Sequence, residues 1–195
     1  MCNFLRPHCT QFAVKISENK GKVMNLKTLI SEDELNKRIK DLAMQISNDY
    51  QSEEIVVVCI LTGAVYFTVD LTKYIDNNKV RLEFMKVSSY GNGFESSGKL
   101  EIQKDLSIDI EGKNVLIVED IIDSGLTMHT LKEMLLKRNP KSLRICTLLD
   151  KKERRKVKID ADYVGFSIPN KFVLGYGLDF EEYYRNLPYI AYKEG

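Results

Sequence analysis

The sequence predicts an α/β fold with a mainly parallel sheet flanked by helices. Continuous β-branched runs, as expected of strands buried on both faces, recur along the chain. Between them lie stretches whose apolar residues fall at helical spacing. Strand, helix and strand in repeated succession imply a parallel sheet with helices on its faces. A chain of 195 residues suits one compact domain and can bury a core without disulfides or a structural metal.

Ser31 followed by Glu34 reads as a capping box that opens a helix, with Leu35, Ile39, Leu42 and Ile46 on its apolar face. Ile55 to Leu61 reads as the first buried strand. Gly63 precedes a helical pattern through Val65, Val69, Leu71 and Ile75. Val80 to Val87 alternates apolar and polar residues and reads as a second strand. Ser88 to Lys104 is rich in Gly and Ser and lacks periodicity, which predicts a long loop that is either a functional flap or disordered. Val115 to Val118 is a third strand, and Gly125 leads into a helix with Met128, Leu131, Leu135 and Leu136 that Pro140 closes. Leu143 to Leu149 is a further strand, with shorter apolar segments around Val164 and Val173.

Residues 1–23 carry no convincing periodicity and lack the features of a signal peptide. They read either as a disordered arm or as an extension upstream of a natural start at Met24, with Asn19 to Lys22 encoded by a purine-rich stretch. A native peptide spanning Val23 and Met24, seen by mass spectrometry, would exclude the second reading. Residues 24–195 are expected to form a single domain.

The composition is that of a soluble globular protein, and the formal net charge of +1 supplies no field toward nucleic acid or an anionic membrane. No apolar run is long enough to span a bilayer. Cys59 and Cys146 lie in strand-like runs, where buried free thiols are expected. With only two histidines and no C-x-x-C pair, a Cys/His zinc site is not expected. A reducing, cytoplasmic location follows.

Val115 to Thr127, VLIVEDIIDSGLT, carries the chemistry. Amides and hydroxyls at a helix N-terminus bind phosphate, here from Asp123 through Thr127. Three carboxylates beside them make sense if they serve sugar hydroxyls or a metal. The Lys-containing P-loop pattern is absent.

This segment resembles the phosphoribosyl pyrophosphate (PRPP) motif of the type I phosphoribosyltransferases. Leu61-Thr62-Gly63-Ala64 resembles their pyrophosphate loop, and Ser88-Ser89-Tyr90-Gly91 the start of their mobile flap. Lys171 to Asp179, with Arg185 beyond, resembles the purine-binding region of the hypoxanthine-guanine members. The resemblance runs from about Met24 to Tyr192, and the ending Arg185 to Ile190 is typical of bacterial members. It implies the type I fold, with a small hood and the flap that contains Ser89 and Tyr90. It implies transfer of phosphoribosyl from PRPP to hypoxanthine or guanine with Mg2+.

The same resemblance implies roles. Leu61, Thr62, Gly63 and Arg185 would meet pyrophosphate. Glu119 and Asp120 would hold ribose hydroxyls and help organise magnesium, and Asp179 would bind a second magnesium with pyrophosphate. Asp123 would be the general acid/base, and Ser124, Gly125, Leu126 and Thr127 would grip the 5-phosphate. Lys151 would donate to purine O6, Phe172 would stack on the base, and Val173 and Asp179 would meet its 2-position. Lys152 to Lys158 reads as solvated surface. Thr62 departs from the lysine common in the pyrophosphate loop and loses a charge there. The family also implies a homodimer or homotetramer, with no nucleic-acid or membrane partner. A PRPP-sensing, nucleic-acid-binding regulator and a xanthine-preferring transferase remain alternatives.

Overall fold

The computed structural model describes residues 25–89 and 100–194. Residues 1–23, Met24 and Tyr90 lie outside them, so the expectations for the N-terminal segment and for Tyr90 do too. Nine strands and three α-helices are present among the described residues. They are β1 (Leu26–Ile30), α1 (Glu32–Tyr50), β2 (Ile55–Leu61), α2 (Val65–Tyr74), β3 (Val80–Ser89) and β4 (Leu100–Lys104). Then come β5 (Asn114–Ile122), α3 (Leu126–Leu136), β6 (Ser142–Asp150), β7 (Tyr163–Ser167), β8 (Val173–Leu174) and β9 (Ile190–Lys193).

The main sheet has the order β4-β3-β2-β5-β6-β7, parallel throughout except where β4 pairs antiparallel with β3. Alternate residues of its strands face opposite layers. Ile55, Val57, Leu116, Val118 and Leu148 join the core beneath α1 and α2. Val56, Val58, Val115, Ile117 and Ile145 join the core beneath α3. Both faces are covered, which is why these strands read as continuous apolar runs.

The capping box at α1 forms as expected. The Glu34 amide donates to Ser31 Oγ, and the Ser31 amide donates to Glu34 Oε2 at 2.8 Å. Helix α3 stops at Leu136, before Pro140, with Asn139 at positive φ in the turn between them. Cys59 and Cys146 are buried free thiols.

Several elements differ from the sequence reading. The end of the Ser88 to Lys104 segment is a strand: β4 folds back on β3, and Leu100 and Ile102 pack on the α3-side core. At the other end of that segment β3 runs on to Ser89, whose backbone pairs with Leu100. Strands β1 and β9 were not expected. They form, with β8, a separate antiparallel sheet of order β1-β9-β8. Each is five residues or fewer. A strand so short is specified by a partner distant in sequence and not by its own pattern. Within the described residues, no helix is long and apolar enough to cross a membrane.

Candidate active site

Strand β2 leads outward to α2 and β3 on one side, and β5 leads to α3 and β6 on the other. The strand order therefore reverses between β2 and β5, and the carboxyl ends of strands at such a point form a natural crevice. The loops after both strands meet there. The Leu61–Thr62 peptide is cis, and Thr62 is exposed in the turn that starts α2. Gly63 lies against the Asp120 carboxylate: a Cβ added to it would fall 1.6 Å from Asp120 Oδ2. Gly177, at φ +100°, closes on the same loop from a third segment, and a Cβ there would fall 2.0 Å from the Gly63 carbonyl oxygen. No side chain fits at either position.

Strand β5 extends to Ile122, so Glu119 and Asp120 stand on the strand itself, beyond the four-residue apolar run. Glu119 lines a cavity of about 110 Å³ with Asp123, Ser124, Gly125 and Thr127. Gly125 caps α3 at φ +81° and offers no side-chain cap. The first amides of α3, beginning at Leu126, therefore lack that partner and can serve an anion. The Leu126 amide approaches Ser124 Oγ at 3.4 Å.

Burial disfavours the charged forms of the two β5 carboxyls. Burial, and then the adjacent Asp120 charge, raises Glu119 well above the usual carboxylate range. Burial raises Asp120 to about 6. The Ile121 amide and the Arg185 charge oppose that rise, and Asp179 adds to it. Arg185 and Asp179 thus act at Asp120 from the third segment. A divalent cation such as Mg2+ would relieve that cost by favouring the ionised form of these hard oxygen donors. Among the described residues, no three His, Cys, Asp or Glu groups converge tightly enough to hold an ion unaided. A cation here would take its remaining ligands from substrate oxygens or water, as Mg2+ commonly does.

Asp123 sits between two cations. Lys151 Nζ is 3.3 Å from its Oδ2, and Arg154 Nε donates to its Oδ1 at 2.8 Å. Burial pushes the Asp123 carboxyl up, but Arg154 and Lys151 outweigh it and leave the group below its ordinary range. Lys151 is itself buried, and its backbone N–H donates to the Ile122 carbonyl.

The basic run after β6 is only partly the solvated surface expected. Lys152, Glu153 and Lys156 are exposed, whereas Arg154 reaches Asp123 and Arg155 turns inward. The Arg155 guanidinium donates to the carbonyls of Ile122, Asp123 and Ile159 and to the Asp150 carboxylate. The Lys156 amide donates to the Ser124 carbonyl at 2.9 Å. A charge run gives no hint of which members find buried carbonyls, because the Ile122 and Asp123 acceptors lie in a segment distant in sequence.

In the third segment, Arg185 is 2.9 Å from Asp179 and donates to the Gly177 carbonyl at 2.8 Å. Asp179 also accepts from the Glu182 amide. Val173 is buried in β8. Phe172 is 56% exposed, edge-on to Phe180, so a face of its ring is open to stacking. Among the described residues, no hydrogen bond or ion pair links this segment to Lys151 or Asp123. Tyr176, at φ 49°, donates to Asp70 of α2 at 2.7 Å, a tie that the sequence reading missed.

The phosphoribosyl transferase domain family matches residues 29–181 of this chain. The chain is 52% identical over 176 residues to a hypoxanthine-guanine phosphoribosyltransferase of Aquifex aeolicus, covering 90% of this chain and 97% of the relative. It is 51% identical over 165 residues to the bifunctional protein TilS/HprT of Listeria monocytogenes, covering 85% of this chain and 25% of that protein. A crystal structure of a hypoxanthine-guanine phosphoribosyltransferase from Bacillus anthracis superposes with a TM-score of 0.83 at 52% identity, covering 86% of this chain and 98% of that one.

Proposed function

This chain belongs to the phosphoribosyltransferase family, and on that footing we propose that it converts hypoxanthine and guanine, with PRPP, to IMP and GMP and pyrophosphate. The observation that carries the choice of base is the 3.3 Å pairing of Lys151 with Asp123. The purine edge places O6 beside N7. A cation next to a carboxylate matches a carbonyl at position 6 next to a ring nitrogen that gains or loses a proton. Adenine presents an amine at position 6, which leaves a buried lysine facing a donor, and such mismatches are strongly rejected.

Asp123 is the general acid/base at purine N7 in this reading, and Lys151 donates to O6. Phe172 stacks on the base, and Val173 and Asp179 meet its 2-position. The amides and hydroxyls of Ser124, Gly125, Leu126 and Thr127 hold the 5-phosphate. Leu61, Thr62, Gly63 and Arg185 hold pyrophosphate, with Arg185 suited by its planar fork. Ser89 and Tyr90 belong to the flap. Displacement at C1 of the ribose passes through an oxocarbenium-like state, so the carboxylates of Glu119 and Asp120 support both the ribose hydroxyls and the developing positive charge. Glu119 and Asp120 would help to hold Mg2+ at the ribose, and Asp179 would hold a second Mg2+ with pyrophosphate, where the cations would neutralise the charge of the leaving group. The buried free thiols fit a cytoplasmic setting.

An ultraviolet assay with PRPP and Mg2+, offering hypoxanthine, guanine, xanthine and adenine in turn, tests the proposal. Nucleotide from the first two, abolished by a chelator, is expected. Turnover of xanthine alone would reassign the substrate. PRPP binding without turnover of any base would favour a regulator.

A further inference from the structure

Arg155 is a heavily engaged charged side chain outside the groups assigned to substrate. Its Nη1 donates to the Ile122 carbonyl at 2.8 Å and to the Asp123 carbonyl at 2.6 Å. Its Nε donates to the Ile159 carbonyl at 3.2 Å, and its Nη2 to Asp150 Oδ1. The side chain is only 15% exposed and that of Asp150 only 3%. Its Cδ lies 3.2 Å from where a Cβ on Gly125 would stand, so its stem also fills the space behind the phosphate loop. One guanidinium thus grips three backbone carbonyls and a buried carboxylate drawn from three separate segments.

Those acceptors bracket the chemistry. The Ile122 and Asp123 carbonyls flank the backbone of the candidate acid/base, and Gly125 starts the helix whose amides face the 5-phosphate. The loop from Ile122 to Gly125 has other anchors. They include the pairing of Ile122 with Asp150, the His129 amide on the Gly125 carbonyl and the Leu126 amide near Ser124 Oγ, while the Lys151 amide on Ile122 and the Lys156 amide on Ser124 come from the same strap as Arg155. We propose that Arg155 is a positioning residue, which through these carbonyls fixes the Asp123 carboxylate and the phosphate-binding amides relative to each other. The planar fork is essential, since a lysine is a point donor that can satisfy Asp150 but cannot span the carbonyls as well.

This inference rests on the phosphoribosyl-transfer reading above. Its test compares Arg155→Lys and Arg155→Ala with the wild type, measuring kcat, the KM for PRPP and for hypoxanthine, and thermal melting. Arg155→Lys keeps the charge beside Asp150 and is expected to melt near the wild type. Its kcat is expected to fall about 10²-fold, the scale of a misplaced catalytic group. Its PRPP KM rises, and its hypoxanthine KM changes less. In Arg155→Ala, millimolar guanidinium is expected to restore part of kcat, and ammonium is not. Should Arg155→Ala fail to fold, Arg155→Lys alone decides. Wild-type kinetics in Arg155→Lys would overturn the proposal. So would losses that merely track melting and do not respond to guanidinium. If the wild type forms no nucleotide, the enzyme reading fails first. PRPP affinity by calorimetry then decides: equal affinity in wild type and Arg155→Lys overturns the positioning role, and weakened affinity supports it.

Discussion

Asp123 is gripped by Lys151 and Arg154, and its carboxylate keeps acceptor sites beyond those two donors with which to meet a purine nitrogen. Of the two partners Arg154 is the more open to solvent, its side chain 47% exposed against 9% for Lys151. Asp123→Asn preserves shape but cannot exchange a proton. It is expected to lower kcat by about 10²–10⁴-fold in steady-state assays with hypoxanthine, the range of general acid/base contributions. A loss under tenfold would remove that role from Asp123. Lys151→Met removes a charged donor without opening a cavity. The KM for hypoxanthine is expected to rise about 10- to 100-fold, in line with the 1.5–3 kcal/mol of a hydrogen bond to a charged group. An unchanged KM would place O6 elsewhere.

Two elements show how a local pattern is overridden. The apolar run 115–118 reads as a complete strand, but the ladder with β6 continues from Glu119↔Thr147 to Ile122↔Asp150. Polar residues at a strand end cost nothing when their side chains face a crevice, so hydropathy alone underestimates β5. The other case is the junction of α1 with the sheet. Tyr163 of β7 donates to Asp49 near the end of α1 at 2.6 Å, and Arg144 of β6 lies close to both. The Tyr163 hydrogen bond holds Asp49 below its ordinary range, with burial opposing and Arg144 assisting. A carboxyl whose folded pKa is depressed contributes stability that is present above its unfolded pKa and lost as pH falls through the folded value. Tyr163→Phe is therefore expected to cost about 1 kcal/mol at pH 7. In urea titrations that difference should hold above the unfolded aspartate pKa of about 4 and shrink as pH falls below it and through the lower folded value. A difference independent of pH would locate the effect in packing instead.

At the scale of the molecule, Tyr66, Val69 and Tyr74 of α2, Leu82 of β3 and Met44 of α1 are exposed large apolar side chains. Such residues gathered on neighbouring elements are what a subunit interface buries. Val69→Arg is expected to shift a homodimer or homotetramer toward monomer in sedimentation equilibrium. A monomeric wild type would remove the oligomer from the proposal. Helix α2 also carries Asp70, the acceptor of the Tyr176 hydroxyl, and it begins at the pyrophosphate loop. Tyr176→Phe is accordingly expected to raise the KM for pyrophosphate in the reverse reaction about threefold to tenfold, for a net hydrogen bond of about 1 kcal/mol. An unchanged KM would make the tie purely structural.

The alternating strands, the three helices and the run from Glu119 to Thr127 were legible because each is specified by residues near one another in sequence. Apolar periodicity, a capping box and a glycine at a helix start act locally. The resemblance of four short segments then gathered Thr62, Asp123, Lys151, Asp179 and Arg185 into one expected site. What the sequence could not contain were contacts set by the register of distant segments. The second sheet is one, since β1 and β9 meet across almost the whole chain. The closure of Gly177 on Gly63 and of Gly63 on Asp120 is another. The inward turn of Arg155 is the third, for a guanidinium in a basic run goes to solvent unless folding brings carbonyls to it. Only the tertiary structure placed Ile122, Asp123, Asp150 and Ile159 around that one side chain.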